Sequence, residues 1–158
     1  MYTLLLATLV FGTSNAFLFS SQTVRIKGEL FCPSEPKEAH GITVTLKDKD
    51  TLNIDDTLAR VKTDKSGRFS IEASARDAVG NIDPVLIIYH DCNDYSEHVF
   101  GTPKACQRQW KLTIPDIYVK NDKEMDIGRI NLELRLEDDE SRDCFHRSAG
   151  GILGRRRR

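Results

Sequence analysis

The sequence predicts an all-β sandwich of about seven short antiparallel strands. Apolar and polar residues alternate with a period of two along most of the chain, which puts every second side chain on one face of a strand. Turn-forming residues separate the alternating segments. The chain is also long enough for a single domain to bury a core between two sheets.

The first half of the chain contains four alternating segments, at residues 24–32, 42–46, 57–63 and 68–73. The first segment is interrupted at Gly28, where we expect a β-bulge. A turn signal at residues 64–67 joins the third segment to the fourth, since its glycine can adopt a positive φ. These two segments are therefore predicted to pair as a hairpin.

The second half contains three more predicted strands, at residues 85–89, 109–114 and 129–136. The strand after Pro84 is apolar on both faces, so it lies at the centre of a sheet or is covered by a ligand or a second subunit. A homo-oligomer is one arrangement that would cover it. The Ala-rich segment at residues 73–79 is predicted to be a short helix or a loop.

The N-terminal segment has the pattern of a secretory signal peptide. Residues 1–16 carry no charged side chain, and an apolar run extends from Leu4 to Phe11 before the expected cleavage after Ala16. The run is shorter than the roughly 20 residues that span a bilayer, and no later segment suits a transmembrane anchor. We therefore expect a secreted, extracellular protein whose folded domain covers residues 17–144.

Charge is distributed unevenly along the chain. The formal net charge is −1, which predicts no general attraction to nucleic acid. Residues 145–158 form a basic tail that we expect to be disordered. Its last residues, Arg155, Arg156, Arg157 and Arg158, suit an anionic lipid head group or a sulfated glycan. They are also typical of a cleavage site that would release a C-terminal peptide, and a solvated tail without function is the third interpretation.

The four cysteines, Cys32, Cys92, Cys106 and Cys144, are expected to form two disulfides outside the cell. Three pairings are possible. We favour Cys92–Cys106, which closes one loop between two strands, together with Cys32–Cys144, which ties the first strand to the end of the last. Each bridge contributes about 2–4 kcal/mol, mainly by restricting the unfolded chain.

Several strings of the sequence resemble one known family. The most specific is IDPVLIIYHDC at residues 82–92, and VRIKGELFC at residues 24–32 opens the series. Further strings follow in order at residues 44–50, 63–69, 106–108, 114–115, 118–119, 126–132 and 141–144. Over residues 24–144 the chain is thus similar to the nematode transthyretin-like family. The resemblance implies a transthyretin-like β-sandwich in a secreted protein, and the biochemical activities of this family are mostly unassigned.

The resemblance also bears on catalysis. Related hydroxyisourate hydrolases use histidine and arginine residues together with a Tyr-Arg-Gly-Ser string, and that string does not occur in this sequence. We therefore expect neither their active site nor the hormone channel of transthyretin, no enzymatic activity and no cofactor. Convergence of His40, His90 and Arg108 within hydrogen-bonding reach would favour the hydrolase alternative.

The residues expected to meet a partner follow the predicted strand at residues 85–89. Tyr89, His90, Tyr95 and Phe100 offer amphipathic contacts, in addition to the four arginines of the tail. The expected partner is an extracellular protein, an anionic lipid or a small apolar ligand, bound without covalent chemistry.

No metal site is expected. His90, Cys92, His98 and Cys106 are residue types that bind zinc, but closely spaced cysteine pairs are absent and secretion favours disulfides. The acidic residues between positions 48 and 56 do not follow the spacing of a calcium-binding EF-hand loop, and a solvated acidic turn is the favoured interpretation.

Overall fold

The structure is a computed structural model of the chain and describes residues 21–49, 56–75, 82–94, 106–121 and 123–144. Two β-sheets pack face to face in this part of the chain. A 3₁₀ turn covers Pro36–Ala39, and the short helix α1 covers Ile117–Lys120. The strands are β1 (Gln22–Phe31), β2 (Thr43–Asp48), β3 (Asp56–Lys62), β4 (Arg68–Ala75), β5 (Pro84–His90), β6 (Gln107–Thr113), β7 (Glu124–Asn131) and β8 (Glu140–Asp143).

The smaller sheet has the strand order β4-β1-β7. β4 pairs antiparallel with β1 rather than with β3, so the hairpin predicted from residues 57–73 is wrong. The predicted turn does form, with Gly67 at φ +79° and its N–H donating to the Asp64 carbonyl. A Cβ atom on Gly67 would overlap the carbonyl oxygen of Leu30. Because the turn passes this close to β1, β4 continues into the sheet of β1.

The all-β sandwich is confirmed, with one departure from purely antiparallel pairing. β7 runs parallel to β1, whereas the other described strand pairs are antiparallel. Alternation of apolar and polar residues shows which side chains face the core, but it carries no information on strand direction.

The bulge predicted at Gly28 is confirmed, with the extra residue on the partner strand. Lys27 pairs with Asp126 and Glu29 pairs with Arg129, so two residues of β7 lie opposite Gly28. One of them is Gly128, which adopts φ +68° and donates its N–H to the Asp126 carboxylate at 2.8 Å. The other is Ile127, whose side chain occupies the space that a Cβ on Gly28 would need.

The larger sheet has the order β3-β2-β5-β6-β8, so the doubly apolar strand β5 lies at its centre. This position explains why both faces of β5 are apolar. Its inward side chains are Leu86, Ile88 and His90, and its outward side chains are Val85, Ile87 and Tyr89.

The core lies between the two sheets and is built from the inward residues of both. Each fully buried aliphatic side chain contributes about 1.5–3 kcal/mol through removal from water. The buried side chains of largest volume in this core include Ile26, Leu30, Leu46, Ile71, Leu86, Ile88, Trp110 and Leu132.

The end of the domain differs from the strand predicted at residues 129–136. β7 stops at Asn131, because the Asn131 side chain accepts the Glu133 N–H at 3.0 Å and closes a turn. Leu134 is consequently 54% exposed. The chain then returns as β8, a short polar strand that alternation did not predict. In the 73–79 segment, β4 extends to Ala75, and residues 76–79 lie outside the described ranges.

Two disulfides form, but the favoured pairing is wrong: Cys32 bonds Cys92, and Cys106 bonds Cys144. Cys32 follows β1 and Cys92 follows β5, so the first bridge joins the two sheets in the core, with a Cα–Cα distance of 5.8 Å. Cys106 precedes β6 and Cys144 follows β8, which are neighbours in one sheet. The antiparallel register of these strands therefore brings their cysteines together.

The predicted signal peptide (residues 1–16) and basic tail (residues 145–158) lie outside the described ranges and stay predictions. Within those ranges no helix is long and apolar enough to cross a bilayer.

Candidate functional site

Tyr89 and His90 lie on opposite sides of the larger sheet. Successive side chains of a strand alternate between faces, so Tyr89 points outward and His90 points into the core. Tyr89 is 5% exposed and His90 is 1% exposed. Their side chains therefore do not share an exposed face, although both residues border a cavity of about 100 Å³.

His90 is a buried imidazole whose ring nitrogens have no hydrogen-bond partner in the described part of the chain. Its ring meets the ring of Trp110 edge-on, with a centroid separation of 4.9 Å. Arg108 is its cross-strand neighbour on β6. Burial, followed by the positive charge of Arg108, lowers the pKa of His90 to about 3. The imidazole is therefore neutral near pH 7.

Arg108 is fully buried, and its guanidinium group uses all of its donors within the protein. Nε and Nη2 donate to the two carboxylate oxygens of Glu140 at 2.7 and 2.8 Å. Nη1 donates to the carbonyl oxygens of Cys92 and Leu132 at 2.9 and 3.0 Å, and Nη2 also donates to that of Leu134. Arg108 thus joins β6, β8, the end of β5 and the turn after β7.

Glu140 completes this buried network from strand β8. Besides Arg108, its carboxylate accepts from the Trp110 indole N–H at 3.1 Å, the Leu136 N–H at 3.2 Å and Arg135 at 3.1 Å. The hydrogen bonds from Arg108 are the largest cause that lowers the pKa of Glu140, to about 2. The carboxylate is therefore ionised near pH 7, and the network is a permanent ion pair.

The convergence that would have favoured a hydrolase does not occur among the described residues. His40 and His90 line a common cavity of about 100 Å³ at one end of the sandwich, and Arg108 is not part of its lining. The donors of Arg108 are already used, and neither nitrogen of His90 is hydrogen-bonded to it. Arg108 therefore has no donor left for a substrate in that cavity.

Tyr89 lies on the outward face of the larger sheet, near the end of its central strand β5. Its hydroxyl lies 3.5 Å from the Gln109 amide nitrogen, and the Ser141 hydroxyl donates to the Gln109 carbonyl at 3.0 Å. Burial, and then the negative charge of Asp143, raise the pKa of Tyr89 above its usual value. Tyr89 therefore remains a neutral phenol and supports a polar row across β5, β6 and β8.

The zinc alternative also conflicts with the structure, because Cys92 and Cys106 belong to two different disulfides. Cys32, Cys92 and Glu133 do place potential ligand atoms within 4.8 Å of one another. Both sulfur atoms of this group are consumed by the Cys32–Cys92 bond, so they cannot act as thiolate ligands.

A surface site that the sequence did not predict lies on the outward face of the smaller sheet. It is a depression of about 540 Å³ open to solvent, which we call the Glu29 depression. β1, β4, β7 and the turn before β4 supply its lining, including Lys27, Glu29, Asp64, Arg68, Asp126 and Arg129. The sequence shows only that the polar residues of each alternating strand face outward. It does not show that these residues form a depression.

Glu29 is the centre of this depression and is shared by two arginines. Arg129 Nε lies 2.9 Å from one carboxylate oxygen, and Arg68 Nε lies 3.3 Å from the other. Both arginine side chains are exposed, and they contact Glu29 through Nε and not through their terminal nitrogens. The Arg129 guanidinium also stacks on Phe31, with its carbon 4.2 Å from the ring centroid.

The other cations on this face are paired as well. Lys27 forms an ion pair with Glu124, and this hydrogen bond is the main cause that raises the pKa of Lys27. Arg25 lies 3.3 Å from Glu72 on β4. The outward face of the smaller sheet therefore presents interleaved charges of both signs.

The remaining predicted contact residues fall outside the described ranges. They are Tyr95, Phe100, Arg155, Arg156, Arg157 and Arg158.

A family model and individual relatives both match this chain to the same family. The model of the transthyretin-like family matches residues 27–115. Transthyretin-like protein 5 of Caenorhabditis elegans is 38% identical over 140 residues, which cover 85% of this chain and 93% of the relative. Transthyretin-like protein 33 of the same organism is 37% identical over 132 residues, which cover 80% of this chain and 85% of the relative.

One solved structure similar to this chain is a 5-hydroxyisourate hydrolase from Klebsiella pneumoniae. It is 16% identical, with a TM-score of 0.36, and the match covers 77% of this chain and 97% of the hydrolase. A likeness this distant carries no argument about activity.

Proposed function

Since the chain belongs to the transthyretin-like family, we propose that it is a secreted, non-enzymatic binding protein that recognises an extracellular protein partner. The observation that carries this proposal is that Arg108 and His90 are both buried in the core. All donors of Arg108 bind protein acceptors, and His90 is buried and neutral. Neither group is available to a substrate.

The Glu29 depression is the proposed contact surface for the protein partner. Its charges of both signs suit another protein surface, which also carries both signs, better than a polymer of one sign. Arginine is enriched among the residues that dominate binding energy at interfaces. Arg68 and Arg129 are exposed there, and Glu29 holds both of them in place.

The scaffold supports binding because it is rigid around this surface. Glu29 and Phe31 belong to the central strand β1, which is paired on both sides. Cys32, directly after β1, is bonded to Cys92 of the other sheet. Side chains on such a framework lose less conformational entropy on binding than side chains on a flexible loop.

Secretion is supported by the pattern of residues 1–16 and by the cysteines. The described ranges contain two disulfides and no free cysteine. Disulfides persist in oxidising compartments and are rare in the cytosol.

The test is binding of the labelled protein to the surface of cultured nematode cells. Arg68→Glu/Arg129→Glu is expected to weaken saturable binding at least tenfold, because it removes two positive charges and adds two negative charges to those already present in the depression. Lys120→Glu/Lys123→Glu, which makes the same charge change beside α1, is the matched control and should bind as the parent does. Trypsin treatment of the cells should abolish binding.

Two results would contradict the proposal. Binding that survives trypsin, or that both charge-reversal pairs reduce equally, would exclude a protein partner at the Glu29 depression. Turnover of 5-hydroxyisourate above its spontaneous rate would exclude a non-enzymatic role.

A further inference from the structure

The outward face of the larger sheet carries four basic side chains, Lys47, Arg60, Lys62 and Lys111. We call it the cationic face. Arg60 and Lys111 stand at the two ends of one cross-strand row, with Thr45 and Ile87 between them. Three strand spacings separate them, which is about 14 Å.

The other two cations lie on either side of this row, near its Arg60 end. Lys62 is two residues from Arg60 on β3, and Lys47 is two residues from Thr45 on β2. Lys47 and Lys62 therefore lie at opposite ends of the face, about 13 Å apart along the strand direction. Arg60, Lys62 and Lys111 are exposed, and Lys47 is half-buried.

These charges are not neutralised within the part of the chain that the structure describes. No ion pair in that part involves any of the four cations. The contact of Arg60 is a 3.3 Å hydrogen bond from Nε to the Thr45 hydroxyl, which leaves its charge uncompensated. Asp143, at the β8 margin, is the acidic residue on the outward side of the described strand pairs. Asp139, just before β8, accepts the Lys111 N–H through its carbonyl, and its carboxylate forms no ion pair with Lys111.

The smaller sheet shows that this absence of pairing is specific to one face. On its outward side, Arg25, Lys27, Arg68 and Arg129 each lie beside a glutamate. One domain therefore has a face with paired charges and a face with an excess of one sign. An excess of one sign attracts a ligand with repeated charges of the opposite sign.

Among the described residues, the cationic face offers no well-exposed large apolar side chain to a ligand. Thr45, Ile87 and Tyr89 at its centre are buried, at 0%, 3% and 5% exposure. Ile117 and Leu134, the large apolar residues that are well exposed in the described ranges, lie outside the strands of this sheet. A bilayer gains affinity from inserted apolar groups, so this face suits a hydrophilic polyanion better than a membrane.

We propose that the cationic face binds a sulfated polysaccharide. Sulfate groups keep their charge at any physiological pH, and their spread along a chain matches four cations distributed over about 14 Å. The exposed Thr113 hydroxyl can donate to the sulfate oxygens. This interaction is separate from the proposed protein contact at the Glu29 depression. It rests on the proposed function in one respect, since an extracellular polymer is chosen because we propose that the protein is secreted.

The test measures binding of the complete chain, as processed by a eukaryotic expression host, to immobilised heparin at 0.15 M salt. Each cation lost near a dense anionic surface weakens binding about fivefold, so Lys47→Gln/Lys62→Gln/Lys111→Gln should weaken it roughly 100-fold. Arg60 is kept because it bonds Thr45. The matched control, Lys65→Gln/Lys120→Gln/Lys123→Gln, removes three exposed charges elsewhere and should change binding less than about twofold.

Three comparisons make the result specific. Desulfated heparin should bind at least tenfold more weakly than heparin. When Arg155–Arg158 are replaced by alanine, the loss of heparin binding caused by the three lysine substitutions should remain largely the same, because the tail is a separate basic segment. Circular dichroism and thermal unfolding verify that each variant is folded.

Several outcomes would overturn the proposal. One is an equal loss of heparin binding in the variant of Lys47, Lys62 and Lys111 and in its control. Another is equally strong binding of heparin and desulfated heparin. The third is complete loss of heparin binding when only the four arginines of the tail are replaced. Preferential binding to phosphatidylserine vesicles through Lys47, Lys62 and Lys111 would assign the face to a membrane instead. The Arg68→Glu/Arg129→Glu variant, which tests the protein partner, leaves these four cations intact, so failure of one proposal is distinguishable from failure of the other.

Discussion

Replacement of Arg108 by methionine is predicted to destabilise the domain to the edge of unfolding. The substitution keeps a long apolar stem but deletes every N–H donor of the guanidinium group. The Glu140 carboxylate loses its main partner, and the carbonyl oxygens of Cys92, Leu132 and Leu134 lose a donor. Arg108 is fully buried, so these contacts are shielded from water that could replace them.

The magnitude follows from the contacts that Arg108 makes. Removal of one partner of a buried ion pair costs about 3–5 kcal/mol. Each buried carbonyl left without a donor costs about 1–3 kcal/mol more. The Glu140 side chain retains 14% exposure and some hydration, so we take the lower end of both ranges for the ion pair and the three carbonyls and expect a loss of about 6 kcal/mol. This is comparable with the whole stability of many domains.

Urea unfolding followed by the fluorescence of Trp110, the single tryptophan, provides the assay. Arg108→Lys should lose about 3 kcal/mol, since one ammonium group cannot reach acceptors on several sides as the planar guanidinium does. Lys111→Met on the exposed side of the same strand is the control and should change stability by less than about 0.5 kcal/mol. A loss below about 1 kcal/mol for Arg108→Met would refute this account of the network.

His90→Leu is expected to flatten the fall in stability as pH decreases from about 6.5 to 4.5, measured by urea unfolding. In the parent, His90 has a pKa of about 3 when folded, so the unfolded state binds the extra proton in this window and stability falls by up to about 1.4 kcal/mol per pH unit. Glu140, with a pKa of about 2 when folded, adds most of its own loss below this window, because its carboxyl titrates near pH 4.5 when unfolded. Cys32→Ser/Cys92→Ser should cost about 4 kcal/mol because the bridge spans 60 residues, and a bridge from Cys92 to another cysteine in non-reducing peptide maps would contradict the structure. Mass spectrometry of the secreted product should find Phe17 at its N-terminus, and a retained Met1 would exclude cleavage of the leader.

Local alternation was sufficient to predict most strands and the side of each that faces the core. It succeeded in β5 because burial on both faces appears directly as an apolar run at residues 85–89. It failed where pairing depends on contacts distant in sequence. The approach of Gly67 to Leu30, which sends β4 into the sheet of β1, involves residues that no local period connects. The disulfide pairing failed for the same reason, because it follows from which strands become neighbours.

The buried network was missed although part of its signal was present. Arg108 stands two residues before Trp110, so extending the alternation of β6 by one step places an arginine in the core, where it requires partners. Glu140 had no comparable signal, since β8 is short and polar and becomes a strand only through its pairing with β6. The Glu29 depression depends on the packing of three strands and was likewise beyond a local pattern.

The environments of the basic side chains suggest a last prediction about function and stability. Arg108 is compensated by Glu140 inside the core, and the cations of the smaller sheet are compensated by surface glutamates. Lys62 and Arg60 instead stand on the same side of β3 without an acidic partner in the described ranges, so they repel each other. The free energy of unfolding of Lys47→Gln/Lys62→Gln/Lys111→Gln, measured in urea, should therefore equal that of the parent or exceed it by up to about 0.5 kcal/mol. A destabilised variant would mean that these cations serve the fold, and its weaker heparin binding would then no longer identify a binding surface.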